Sequence, residues 1–204
     1  MSLIEKVHER YVKNRRVRVL ASRLAPLFPP SARVLDVGSG DGRVAEQIMR
    51  LRPDLIFAGL DVLVRSDARI ATSKFDGHHL PFAPSSFDAI LFVDVLHHTD
   101  DPVELLREAR RVGRRSVIIK DHDAHGFLAG PTLRWMDRVG NARFQVALPH
   151  NYLEWSEWAR TFHQLGYTVE SVVRQLKIYP IPLRWVFDRS LHFVAVLSIS
   201  AARG

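Results

Sequence analysis

Val34-Leu35-Asp36-Val37-Gly38-Ser39-Gly40-Asp41-Gly42 is the stretch that decides the fold. Arg33–Val37 is β-branched and apolar, which predicts a strand, and it runs directly into a glycine-rich turn. Val44, Ile48 and Leu51 then recur at helical spacing until Pro53 stops the pattern. Strand, glycine turn and helix in that order place the turn at the carboxyl edge of a parallel sheet, where open α/β folds bind ligands. The glycines let backbone approach such a ligand closely. A dinucleotide fingerprint G-x-G-x-x-G needs glycine at position 43, but Arg43 stands there and the third glycine falls one place early, at Gly42. Asp36 and Asp41 add carboxylates that repel a pyrophosphate and welcome an ammonium or sulfonium. The turn therefore favours a nucleoside-like, cationic ligand over a phosphorylated one.

Outward from this stretch, strand-like runs alternate with helical patterns, which implies an α/β fold with crossover helices. Leu55–Leu60 is the second predicted strand, Arg69–Phe75 a weak third, Phe87–Val93 a fourth and Ser116–Lys120 a fifth. Between the last two, Asp101 caps a helix, Pro102 suits its first position, Glu104 completes a capping box, and Gly113 ends it beyond Val103, Leu106 and Ala109. After Lys120 the simple alternation is interrupted up to Leu153, and insertions of that length are usually functional. Leu128, Leu133, Trp135, Met136 and Val139 predict a short amphipathic helix there, followed by turns at Gly140, Pro149 and Asn151. Glu154–Leu165 reads as the last helix, with Tyr167–Lys177 and Leu191–Ser198 as closing strands.

Asp36-Val37-Gly38-Ser39-Gly40-Asp41-Gly42 resembles the first motif of class I methyltransferases that use S-adenosylmethionine (SAM), and the likeness extends over Arg33–Val112. It is nearest the small ubiquinone/menaquinone-type, type 11-like branch. The resemblance implies a Rossmann-like fold: a mostly parallel seven-stranded sheet with helices on both faces and a cap insertion after the fifth strand. It also implies one domain over residues 1–204, with a helical segment at 1–31 and a substrate cap at 122–153. By that resemblance Asp36, Gly38, Ser39 and Gly40 hold the methionine part of SAM, and Asp61, with Val62 beside it, holds the ribose. Phe75-Asp76-Gly77-His78-His79-Leu80-Pro81-Phe82 resembles the family's D-x-x-x-L-P-F stretch, which makes Asp76 and Gly77 the adenine candidates. The fourth strand leaves through Val93, Asp94, Val95, Leu96, His97 and His98, near the transferring methyl in such enzymes. Side chains leaving a strand diverge, so one or two of Asp94, His97 and His98 are expected to touch ligand. Asp121-His122-Asp123-Ala124-His125 opens the insertion and is expected to face the acceptor. A metal is not expected there, because no further ligand spacing accompanies the run. If the acceptor atom is oxygen or nitrogen, His97, His98 or His122 is the candidate base near neutral pH.

The chain has no cysteine, which excludes disulfides and thiolate metal sites, and with no signal-peptide pattern the cytoplasm is the expected compartment. The net charge of +7 makes RNA or an anionic membrane conceivable, yet only Lys13–Arg18 is dense, and a solvated helix face explains it better than a binding patch does. Peripheral membrane contact is compatible with that basic segment and with Leu27-Phe28-Pro29-Pro30 after it, though packing at the sheet edge is the simpler account. The tryptophans Trp155, Trp158 and Trp185 read as packing residues, with Trp135 as the exception inside the insertion. The expected acceptor is a small or lipid-like molecule. An RNA methyltransferase, supported by charge alone, and a SAM-fold binding protein without turnover are the alternatives.

Overall fold

Seven strands form one sheet in the order β3-β2-β1-β4-β5-β7-β6. The computed structural model describes residues 14–126, 129–141, 151–179 and 191–199, with 136–141 as backbone only. The strands are β1 (Arg33–Val37), β2 (Ile56–Asp61), β3 (Thr72–Lys74), β4 (Phe87–Val93), β5 (Gly113–His122), β6 (Tyr167–Val173) and β7 (His192–Ile199). All neighbours pair in parallel except β7, which runs antiparallel to both β5 and β6. The helices are α1 (Asn14–Leu24), α2 (Arg43–Leu51), α3 (Pro102–Val112), α4 (Ala129–Asn141) and α5 (Trp155–Gln164). The expected α/β, Rossmann-like class is therefore the observed one.

Strand side chains alternate between two apolar cores, because successive residues point to opposite faces. Leu35, Ile90, Phe92, Val117, Ile119 and Phe193 pack with Leu105, Leu106 and Ala109 of α3 and with Trp158 and Phe162 of α5. Val34, Ala89, Leu91, Ile118 and Val194 face the other way, against Leu20, Ala21 and Leu24 of α1 and Ala45 and Ile48 of α2. Each such leucine or phenylalanine removed from water contributes roughly 1.5–3 kcal/mol before the entropy of ordering is subtracted.

The ends of α3 are largely as expected. Asp101 accepts hydrogen bonds from the amides of Val103 and Glu104, and Pro102 opens the helix. Glu104 turns instead to His78, 3.0 Å away. Gly113 has φ −79°, so it begins β5 rather than stopping α3 in a left-handed turn. Glycine is required there because a Cβ would lie 2.8 Å from the Ala109 carbonyl oxygen.

Other expectations need correction. Residues 62–71 form a loop, and of the expected third strand Arg69–Phe75 only Thr72–Lys74 pairs in the sheet. Ile70, from that loop, packs on the glycine turn at Gly42. Residues 174–178 leave the sheet beyond β6, and Leu176 and Ile178 turn into the α1-side core. Leu27-Phe28-Pro29-Pro30 does not present a lipid-facing surface, since Phe28 is buried edge-on against Phe57, 5.5 Å away. In the insertion, Leu133 is buried on α4 while Trp135 is exposed. Leu128, Pro149, Trp185, residues 1–13 and the side chains of Met136 and Val139 lie outside the described residues.

Candidate active site

The turn between β1 and α2 has three glycines in left-handed conformations, Gly38, Gly40 and Gly42, with φ of 72°, 59° and 70°. The amides of Gly38 and Ser39 both donate to the Leu60 carbonyl, at 2.7 and 3.0 Å, which fixes the turn to the end of β2. A Cβ on Gly38 would sit 2.5 Å from a Val95 methyl, and one on Gly42 would meet Ile70 at 2.9 Å. At Gly40 a Cβ would make ordinary van der Waals contact with the Arg65 guanidinium, at 3.8 Å.

Two carboxylates lie at the strand ends beside this turn, Asp36 on β1 and Asp61 on β2. Asp61 accepts from the Gly40 amide (2.7 Å) and, through its other oxygen, from the Leu63 amide (2.9 Å). Lone pairs remain on both oxygens for further donors. Asp36 is 3% exposed and makes no hydrogen bond through its side chain among the described residues. Burial, and then the charge of Asp61, push its carboxyl up to about 8. A buried acid with no partner is costly to ionise, and a bound cation would relieve that cost.

Asp76 is less available than the sequence reading implies. One of its oxygens accepts from the amides of His78 and His79, both at 2.8 Å, which pulls the carboxyl below its usual range. Gly77 has φ 93° and lies against Val62, a Cβ there coming 3.3 Å from a valine methyl. Arg111 holds this segment by donating to the Leu80 and Phe82 carbonyls, and Glu108 accepts from the Leu80 amide.

At the carboxyl ends of β4, β5 and β7 the polar side chains separate into two sets. Asp94, with φ 56°, follows Val93 and turns toward α1, where Arg16 and Lys120 both pair with its carboxylate. Lys120 is 1% exposed and also lies 3.2 Å from His192 Nδ1. Burial alone would push Asp94 up, but the charges of Lys120 and Arg16 hold its carboxyl well below the usual range. Burial, followed by the charges of Lys120 and His97, keeps His122 well below the usual imidazole range. The second set centres on His97 Nδ1, 2.6 Å from Asp121, whose carboxylate also accepts from the amides of Leu96 and His122. His98 lies over His97 at 3.8 Å between ring centroids, and Tyr152 stacks at 5.5 Å.

The structure thus brings His97, His98 and His122 together, and the Asp94 carboxylate reaches the same group, 3.6 Å from His122 Nε2. His97, Asp121 and His122 place possible ligand atoms within 4.8 Å of one another, but the carboxylate between them is already occupied by three donors. Asp123, rather than facing an acceptor, accepts from the amides of His125 and Trp155 and pairs with Arg174. Sequence reasoning missed Arg16, Tyr152 and His192 and treated Lys120 as a strand end. The available signal was a lysine ending the run Val117-Ile118-Ile119, on the face that Ile118 shares with α1.

A family model described as a methyltransferase domain matches residues 8–172. The demethylmenaquinone methyltransferase of Thermotoga maritima is 38% identical over 90 residues, covering 41% of this chain and 39% of the relative. The 27-O-demethylrifamycin SV methyltransferase of Amycolatopsis mediterranei is 30% identical over 110 residues, covering 47% of this chain and 40% of the relative. The chain therefore matches about two-fifths of the length of these relatives. A chain in the solved complex containing the Haloferax volcanii Trm112 methyltransferase activator superposes with a TM-score of 0.74 at 13% identity, covering 97% of this chain and 95% of that one, which bears on fold alone. With most of its length matched and the sheet order and glycine turn in place, the chain belongs to the class I SAM-dependent methyltransferase family.

Proposed function

We propose that the protein transfers a methyl group from SAM to a small or lipid-like acceptor. The observation that carries this reading is the Asp36 carboxyl, buried and without a hydrogen-bond partner among the described residues, on the strand that leads into the glycine turn. These residues fit a cationic nucleoside: Asp36 and the Gly38-Ser39-Gly40 backbone for the amino-acid portion, Asp61 for ribose hydroxyls, and Val62 with Gly77 for the base. When bound, SAM supplies an electrophilic methyl group on a sulfonium, with a neutral leaving group.

The protein's part is then to position, to exclude water and to handle one proton. His97 is the base this arrangement favours. Donation from Nδ1 to Asp121 fixes the tautomer with the lone pair on Nε2, and the buried carboxylate stabilises the imidazolium formed on proton uptake. Asp121 is a positioning residue. His98 and His122 contribute the adjoining rings, and Asp94 anchors α1 to the end of β4 through Arg16. The names of the relatives, which include a demethylmenaquinone and a demethylrifamycin enzyme, support an organic acceptor. Among the described residues no helix is long and apolar enough to cross a membrane.

The test is methyl transfer from radiolabelled SAM to a panel of quinols, phenols and a cell lipid extract. Turnover on an organic acceptor, reduced at least tenfold in His97→Ala, is the expected result. Labelling confined to RNA, or full turnover in His97→Ala, His98→Ala and His122→Ala alike, would overturn the acceptor and the base assignment respectively.

A further inference from the structure

The loop between β2 and β3 carries three consecutive exposed apolar residues, Val62 at 47%, Leu63 at 50% and Val64 at 42%. Water-exposed runs of this kind are avoided unless they serve contact. Val62 is accounted for by its packing against Gly77, whereas Leu63 and Val64 have no comparable role in the site. Their position is defined by their neighbours. Residue 63 leaves the carboxyl end of β2 beside Asp61, and the far end of the loop returns to the glycine turn, where the Arg69 amide donates to the Asp41 carbonyl at 2.9 Å. The apolar tip therefore stands at the rim of the cofactor site.

The adjoining surface is cationic. α1 contains four arginines and no acid in Asn14–Leu24. Arg18, Arg43 and Arg50 line the groove between α1 and α2, and Arg43 directly follows the turn that the loop touches. Glu46 neutralises Arg50 and Asp41 faces Arg43, but Arg18 and Arg69 are exposed and make no ion pair among the described residues. An apolar tip on a loop whose far end meets the turn before this arginine-lined groove matches an anionic lipid surface, with the side chains of Leu63 and Val64 entering the acyl boundary and the guanidinium groups meeting headgroups.

We propose that Leu63 and Val64, together with Arg69 at the far end of their loop and with Arg18 and Arg43 of the groove beyond the glycine turn, dock the rim of the cofactor site on an anionic membrane surface. This surface differs from the 27–30 segment, whose Phe28 is buried. The inference rests on the composition of the surface and is independent of the acceptor's identity.

The absence of cysteine from the chain permits a single introduced label. Leu63→Cys and Ile56→Cys, each carrying an environment-sensitive fluorophore, are titrated with vesicles of mixed phosphatidylglycerol and phosphatidylcholine and with phosphatidylcholine alone. Ile56 is the control, exposed at 65% at the opposite edge of the sheet. The expected result is a blue shift at position 63 with anionic vesicles only, no shift at position 56, and at least tenfold weaker partitioning in half-molar salt. Leu63→Asp/Val64→Asp, checked for folding by thermal unfolding, should sediment with these vesicles at least tenfold less than the unsubstituted protein. Absence of any shift at position 63 at low salt, equal shifts at both positions, or binding to RNA without binding to vesicles would overturn the proposal. SAM binding is measured in parallel, so loss of vesicle binding with SAM binding intact removes this inference and leaves the enzymatic reading standing.

Discussion

Replacing Asp36 with asparagine tests what the buried carboxyl does. Its folded value of about 8 lies far above the ordinary 3.8, chiefly through burial and then through Asp61. At pH 7 about nine molecules in ten of the ligand-free protein hold it protonated, so a cation arriving there displaces close to one proton. The association constant for SAM should then rise about tenfold between pH 6 and pH 7 and level off near pH 8. Titration calorimetry in buffers of different ionisation enthalpy measures that proton release directly. The same shift governs stability. A carboxyl with a raised folded value contributes fully below its unfolded value and loses that contribution as pH rises through the folded one, so the ligand-free protein should weaken between about pH 4 and pH 8. The loss is at most about 4 kcal/mol at neutral pH. Asp36→Asn should therefore melt higher than the unsubstituted protein at pH 7.5, bind SAM much more weakly, and lose the pH dependence of binding. SAM affinity that is flat from pH 6 to 8 in the unsubstituted protein, or unchanged in Asp36→Asn, would refute the reasoning.

Three further outcomes follow from the geometry. Gly38→Ala should destabilise strongly in denaturant titration, since the left-handed backbone costs about 1–2 kcal/mol and the new methyl meets Val95 at 2.5 Å, whereas Gly40→Ala should incur only the backbone cost. Lys120→Met leaves Asp94 with Arg16 as its remaining cation and should cost about 3–5 kcal/mol, most of it recovered in Lys120→Met/Asp94→Asn, as a double-mutant cycle of unfolding free energies would show. Because Asp94 is held well below the usual carboxylate range, its contribution is present above pH 4 and lost as pH falls further, and Asp94→Asn should flatten the acid limb of the stability curve.

The parts legible in the sequence were those with local causes. The β1 strand, the glycine turn and the caps of α3 follow from short-range rules, because each feature lies within a few residues of its partner. The segment Val62–Ala71 was harder to read. A crossover helix is the usual way to join parallel strands, and nothing nearby shows that Ile70 can cover Gly42 and Gly59 in its place. Asp76 was recognised by a motif, yet the two amides that follow it compete for its carboxylate. Arg16, Asp94, Lys120 and His192 meet through pairs separated by 78, 26 and 72 residues, from three elements and the loop after β4, and no local pattern announces such a network. His97 and Asp121 were each singled out, but their contact depends on the register of β4 against β5, which single-residue inspection does not supply.

Titration calorimetry of the purified chain with SAM and, separately, with NADH tests the central claim most directly, with Asp61→Ala as the matched variant. The account predicts saturable binding of SAM at one site, weakened at least tenfold by Asp61→Ala, and no binding of NADH. A folded protein that takes up no SAM, or that binds NADH in its place, would contradict it.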